Sequence, residues 1–468
     1  MLFVEFRFFW FFLVVFCVYW SLCENRSRKI WLLLCSYFFY AAWDWRFLFL
    51  LMGSSALDYF VGRMLARTEN PRARRGWLML SLCANLGTLA FCKYFNFFIT
   101  SAAALLVWLG LPASPHTLNI ILPVGISFYT FHSMSYTIDV YRGKMRAVSS
   151  LLDVAAFIGF FPQMVAGPIV RASTFLPQLR TLRKFSDVDV RGALVLFLTG
   201  FIKKACIADS LAPIVDRYFA APGSFTAGSA WVGITFYSIQ GYCDFSGYTD
   251  MALASARLLG YELPVNFRFP YFAQDISDFW RRWHISLSSW LRDYLYIPLG
   301  GNRGPRWFMH RNIMLTMILC GLWHGAAWTF VIFGALQGAG LVVHHEWQRW
   351  TDHWKAVSGW MRWLGCALTM YWFCLSLMVF RALNVPDALV AVRSFVLFRS
   401  GGAQDLGAWM LWIVVALGIV HWMNARGTFA DWWRRAPDPV FAVAYGCATA
   451  TVLLFIPSHY TPFIYFQF

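Results

Sequence analysis

The chain has 468 residues, 59% of them hydrophobic and only 13% charged, with mean hydropathy +0.54. A soluble chain carries about 25% charged residues, so this composition excludes an ordinary soluble enzyme. It points instead to an all-α, polytopic integral membrane protein forming a single membrane-embedded domain over residues 1–468. The formal charge of +16 lies in short basic clusters between apolar runs, which is the pattern of cytoplasmic loops facing anionic lipid rather than of a nucleic-acid-binding surface.

In chain order, apolar runs predict spans at roughly 6–22, 30–43, 47–66, 76–98, 118–140, 192–208, 229–245, 312–327, 329–345, 363–381, 407–424 and 438–456. That is about twelve, within an expected range of about 11–13. The first run, Phe8 to Trp20, lacks a small-residue cleavage site and reads as a retained span rather than a signal peptide. Trp and Tyr crowd the ends of the runs, as an aromatic belt does. Basic clusters at Arg26/Arg28/Lys29, Arg67/Arg72/Arg74/Arg75, Arg142/Lys144/Arg146, Arg180/Arg183/Lys184, Arg303/Arg306/Arg311, Arg349/Lys355/Arg362 and Arg426/Arg434/Arg435 fall on one side if both termini lie outside. Lys203, Lys204, Arg393 and Arg399 fit that topology less well.

Two stretches break the span pattern. Phe160 to Pro168 is apolar but interrupted by Pro162, Gly167 and Pro168. It lies between basic stretches that share a side, so a re-entrant hairpin is expected. Residues 246–311 are too polar to face lipid and predict interfacial and partly buried helices around a cavity. The eleven cysteines are scattered, with no CxxC or Cys/His metal spacing, and read as small buried apolar residues.

The chemistry-bearing residues concentrate in the segments Asp278-Phe-Trp-Arg-Arg-Trp-His284 to Asp293 and Gly321-Leu-Trp-His324-Gly325. Ionisable groups at membrane depth are costly and mark functional sites by default. An imidazole suits proton transfer near neutral pH. His324, beside Gly325 and Ala326, is expected to have room for substrate next to its ring; a buried, hydrogen-bonded helix contact is the alternative. His284 sits among Trp280, Trp283 and Trp290 beside Arg281 and Arg282, which could cradle a nucleotide or phosphopantetheine arm, or could simply form an interfacial aromatic belt. The topology places His284 in the cytoplasmic half and His324 farther out, one imidazole toward each mouth of a tunnel.

Tyr242 to Asp250 puts two carboxylates and two phenols at one span end, to orient the histidines, to pair with Arg281 or Arg282, or to form a structural ion pair. Leu122 to His132 reads mainly as close helix packing. His344, His345 and His459 show no convincing partners in the sequence. The absence of GxSxG, P-loop, GxGxxG and HExxH patterns argues against a serine hydrolase, an ATP-driven pump or a zinc protease.

Taken together, Leu122-Pro-Val-Gly-Ile-Ser-Phe-Tyr through Asp139-Val-Tyr-Arg-Gly143, Phe161-Pro…Ala166-Gly-Pro168, Tyr242 to Asp250, Asp278 through Arg303, and Gly321 to Gly325 resemble the membrane-bound O-acyltransferase family. The nearest branch is that of the membrane subunits of bacterial alginate and cellulose O-acetylation. The resemblance implies a ring of tilted helices enclosing a tunnel, with His324 as the catalytic histidine and His284 as the second signature histidine. It implies a multi-pass protein of the bacterial inner membrane with a periplasmic N-terminus, moving an acetyl group from a cytoplasmic donor outward for exopolysaccharide O-acetylation. The expected donor-binding or tunnel residues are Arg281, Arg282, Trp283, Asp244, Tyr248, Asp278, Ser286 and Trp323. No bound cofactor or metal is expected; acetyl-CoA is the expected donor. The expected partners are a periplasmic SGNH-type acetyltransferase, the exopolysaccharide synthesis machinery and membrane lipid, with no nucleic acid. The rival functions are D-alanyl transfer to teichoic acid, transport of a polysaccharide or solute without chemistry, and acylation of a protein.

Overall fold

The computed structural model describes residues 1–164, 167–351, 359–427 and 432–457. Among these, the regular structure is helical, and the sole extended pairing is an isolated bridge between Phe225 and Gln404. The chain packs as two compact units, one of residues 1–193 with 251–264 and one of residues 194–250 with 265–468.

The first unit holds α1 (Phe6–Ser21), α2 (Asn25–Asp44), α3 (Leu48–Arg67), α4 (Pro71–Leu89), α5 (Phe95–Trp108), α6 (Ile126–Tyr141), α7 (Leu151–Ile158), α8 (Phe161–Met164) and α9 (Ala172–Arg180). Its interior is unusually polar. Ser81 donates to Asp58 at 2.6 Å and Asn85 Nδ2 donates to the same carboxylate at 3.0 Å, so α3, α4 and α6 are tied together by hydrogen bonds as well as apolar contact. The expected span at 118–140 becomes helical only at Ile126. Pro123 lacks a backbone donor, and Gly125 adopts φ 74°, a left-handed conformation that glycine enters without penalty. Phe160 to Met164 is buried as expected for a hairpin enclosed by protein; Val165 and Ala166 lie outside the described residues.

The remainder of the chain forms α10 (Val190–Phe201), α11 (Asp209–Ala220), α12 (Ala227–Leu258), α13 (Ile276–Arg282), α14 (Ile285–Leu291), α15 (Arg306–His324), α16 (Trp328–Thr351), α17 (Gly359–Arg381), α18 (Val385–Leu397), α19 (Leu411–Ala425), α20 (Trp432–Arg435) and α21 (Asp438–Leu453). The expected 229–245 span is the first part of the 32-residue α12, so Tyr242 to Asp250 lies inside a helix rather than at its end. After α10 the helix widens into a π-helical turn, Ile202–Ala208. Within this turn lie the two lysines that fit the topology poorly. Lys203 pairs with Asp250 at 2.7 Å, and buried Lys204 bridges Asp209 at 2.7 Å and Asp244 at 2.6 Å. Neither is a loop charge; both are neutralised inside the protein.

Among the described residues, four helical stretches are long and apolar enough to cross a membrane: Asn25–Arg67, Pro71–Trp108, Gly359–Arg381 and Ala408–Ala425. α19 buries none of its residues and exposes Trp412, Val415, Ile419 and Val420, the behaviour of a lipid-facing helix whose backbone bonds are all internal. Phe6–Ser21 and Asp438–Leu453 are apolar but shorter.

Candidate functional site

The site is built in the second unit, on the hairpin of α15 and α16. These helices meet backbone to backbone. A Cβ at Gly321 would stand 2.2 Å from the carbonyl oxygen of Phe330, and one at Gly334 would stand 2.3 Å from that of Met317. Only glycine allows such an approach, so the small residues of the Gly321–Gly325 motif close the hairpin and aim the last residue of α15, His324. Gly325 serves the same packing. A Cβ there would lie 2.1 Å from the Phe330 ring, so Gly325 itself leaves no free space, and the room beside the imidazole is the cavity that His324 lines.

The open volume comprises two cavities sharing one wall. The smaller, about 40 Å³, is lined by His324, Phe333, Phe373, Leu377 and Phe380 together with Tyr237, Ser238, Gly241, Phe245, Trp280 and Trp283. The larger, about 390 Å³, has Arg281 and Arg292 among its lining together with Ser288, Ser289, Asn302 and His345. It follows α15 through Ile313, Thr316, Met317 and Cys320. Spacing by four residues keeps Thr316, Cys320 and His324 on one helix face. Cys320, in the wall of the larger cavity, therefore lies one turn before His324, with its Sγ 4.0 Å from Nε2 of that histidine. Trp280 borders both cavities. Its indole N–H donates to Gln337 Oε1 at 3.1 Å, and Gln337 Nε2 donates to Ser376 Oγ at 2.6 Å, which fixes this common wall to α16 and α17.

His284 is fully buried and adopts φ 44°, ψ 52°, a left-handed conformation that is rare for a residue with a side chain and breaks the chain between α13 and α14. Asn266 Oδ1 accepts from the backbone N–H of Ser286 at 3.1 Å and from its hydroxyl at 2.9 Å. The backbone donor fixes the orientation of the amide, so the 3.1 Å contact from the same oxygen to His284 Nδ1 requires Nδ1 to carry the proton. Nε2 is then the basic nitrogen, and it has no hydrogen-bond partner among the described residues. The two histidines do not stand at opposite mouths as expected. His284 lies 6.1 Å from the Trp323 ring and His324 lies 5.1 Å from it, measured between centroids, so both imidazoles flank the same indole. The 40 positions that separate them in sequence, which include α14 and α15, are closed in space because the end of α15 lies beside His284.

The other expected site residues divide. Arg281 lines the larger cavity and Trp283 the smaller, where Trp283 stacks on Phe279 at 5.6 Å. Ser286 and Trp323 hold and flank His284. Arg282 is occupied by Asp278, one helical turn away, at 2.9 Å; the start of α13 is capped by Asp275, whose carboxylate accepts from the backbone N–H of Asp278 at 2.7 Å. Asp244 pairs with Lys204 rather than with Arg281 or Arg282, and Asp250 with Lys203. Tyr248 is buried on α12 and lines neither cavity. Of the histidines without sequence partners, His344 lies 3.4 Å from Asp275 and His345 lines the larger cavity; His459 lies outside the described residues.

Sequence reasoning missed Asn266, Gln337, Ser376 and the phenylalanines of α16 and α17, none of which carries a spacing signal. It could have found Ile285, Ser288, Ser289 and Arg292, whose intervals trace one face of a helix.

Comparison with known proteins matches residues 9–383 to the model of MBOAT, the membrane-bound O-acyltransferase family. The chain is 38% identical to "Probable alginate O-acetylase AlgI" of Azotobacter vinelandii, over 98% of each chain. It is 38% identical to the "Peptidoglycan O-acetyltransferase" of Helicobacter pylori, over 79% of this chain and 73% of that one. It is 28% identical to the "Teichoic acid D-alanyltransferase" of Bacillus subtilis, over 57% of this chain and 70% of that one. With apolar membrane-spanning helices and a family match over most of its length, this multi-pass membrane protein belongs to the membrane-bound O-acyltransferase family and is an O-acyltransferase.

Proposed function

We propose that the chain transfers an acetyl group from acetyl-CoA, used from the cytoplasmic side of the inner membrane, outward for O-acetylation of an exopolysaccharide of the alginate type. The observation that carries this reading is the meeting of a polar cavity and an apolar one at the Cys320–His324 turn. The larger cavity, with Arg281, Arg292 and His345, suits the phosphates and polar arm of a thioester donor, because guanidinium groups match phosphate geometry. The smaller suits the acyl end. The names of the relatives support acetyl transfer to a glycan.

In this mechanism His324 takes the proton of the acceptor hydroxyl as its oxygen attacks the thioester carbonyl. The tetrahedral adduct collapses with loss of the thiolate, which receives that proton from the imidazolium, leaving an oxygen ester and a free thiol. His284 assists by lining up the second imidazole across Trp323. The apolar surround excludes water, which would otherwise hydrolyse the thioester. A periplasmic partner of the SGNH type would complete delivery to the polymer.

D-alanyl transfer is less well supported. None of the residues lining the smaller cavity is a carboxylate, so a D-alanyl ammonium would be buried without a counter-charge.

The experiment is transfer of radiolabelled acetyl to glycan in membrane vesicles. His324→Ala is expected to lower transfer by about 10²–10⁴-fold with normal insertion. Full transfer by that variant removes His324 from the chemistry. Labelling from a D-alanyl carrier protein but not from acetyl-CoA replaces the donor.

A further inference from the structure

The smaller cavity also carries information about acyl length. Its volume is about 40 Å³. So small a space beside His324 suits a short acyl group rather than a long chain.

We infer that the enzyme is a two-carbon-selective acyltransferase whose length limit is set by Phe333, Phe380 and Leu377 in the lining of this cavity. The inference rests on the proposed acetyl transfer and adds which residues reject longer chains. The wall is braced rather than yielding. Phe380 packs edge-on against Phe333 at 4.9 Å and Phe330 at 4.8 Å, and faces the His324 ring at 5.4 Å. The floor is braced as well: Phe373 is 4.3 Å from Phe279 and 5.2 Å from Trp283. Side chains so interlocked cannot give way to an added methylene without leaving their preferred rotamers. At Gly241, also in the lining, the sequence keeps the space open. A Cβ added at Gly241 would meet no atom within 4 Å, so the cavity's width depends on that residue having no side chain.

The prediction has opposite signs for enlarging and filling variants. Phe380→Leu and Leu377→Ala enlarge the cavity and should admit a three-carbon group. Gly241→Val adds methyl groups in the open space and should reject even acetyl more strongly.

The test supplies acetyl-, propionyl- and butyryl-CoA, each labelled in the acyl group, to inverted membrane vesicles that contain the full chain and its native glycan. The unaltered protein is expected to favour acetyl over propionyl by roughly 10–200-fold, the discrimination an apolar pocket achieves for one methylene. Phe380→Leu or Leu377→Ala should raise the propionyl-to-acetyl ratio by about tenfold. The ratio is internal to each protein, so reduced amounts of a variant do not change it, and the unaltered chain alone already tests the limit. Equal transfer of acetyl and propionyl by the unaltered protein overturns the inference while leaving acetyl transfer standing. Discrimination that neither enlarging variant relaxes overturns the assignment to this wall. Absence of acetyl transfer from acetyl-CoA in the unaltered protein overturns the proposed donor, and the length limit with it.

Discussion

The indole N–H of Trp280 donates to Gln337 at 3.1 Å, and that single bond holds the wall between a large polar cavity and a small apolar one. The bond matters because Gln337 is itself fixed, its amide nitrogen donating to Ser376, whose hydroxyl donates to the carbonyl of Phe373 at 2.8 Å. A chain of hydrogen bonds thus sets the width of the passage toward His324.

Trp280→Ala should merge the cavities and admit water along the route to the acyl group. Glycan acetylation is expected to fall by about 10²-fold through lost positioning, while release of free thiol from acetyl-CoA falls less, because hydrolysis replaces transfer. Gln337→Leu, which keeps the indole but frees it, should show the same uncoupling to a smaller degree. Measuring thiol release and labelled glycan in one assay decides the matter; if both fall in strict proportion, the wall does not control water.

Asn266 governs His284. Asn266→Ala removes the acceptor shared by His284 Nδ1 and by both donors of Ser286. The cost is about 1–3 kcal/mol for the buried donors left unmatched, and the ring of His284 is free to turn. A lowered melting temperature in detergent together with reduced acetyl transfer is expected. A variant that melts and transfers like the unaltered protein would show that the amide does not set the imidazole.

Lys204 is buried with Asp209 and Asp244 on either side. Lys204→Met leaves two carboxylates without their cation and should cost about 3–5 kcal/mol. Adding Asp209→Asn and Asp244→Asn should recover most of that loss, since the charges themselves are then gone. Thermal melting of the single and triple variants checks this; a triple variant no more stable than the single one points to a need for the charges themselves.

Asp405, in the loop before α19, accepts hydrogen bonds from the backbone of Gly407 and from the hydroxyl of Ser229 at 3.1 Å; these hold its carboxyl below the ordinary value of 3.8. A depressed folded-state value means the stabilisation is present above the unfolded value and is lost as pH falls through the folded one. Asp405→Asn should therefore make this loop more open to pepsin than the unaltered loop at about pH 5, with the difference gone by about pH 2. Equal cleavage at both pH values would mean the ionised form is not what fastens the loop.

The sequence by itself determined that the chain is a helical membrane protein, that His284 and His324 are its candidate site residues, and which family it joins. Composition and apolar run length decide the first, because lipid tolerates only backbones whose polar groups are internally paired. The scarcity of imidazoles and carboxylates in apolar surroundings decides the second. Tertiary structure alone decided the arrangement. The left-handed turn at His284 and the glycine contacts of α15 on α16 bring both imidazoles to one indole, where the topology had placed them apart. The pairing of Lys203 and Lys204 inside the protein and the anchoring of His284 by Asn266 depend on contacts between segments distant in the chain. Spacing along a chain reports which residues share a helix face; it does not report which faces meet, and the candidate site is built where faces meet.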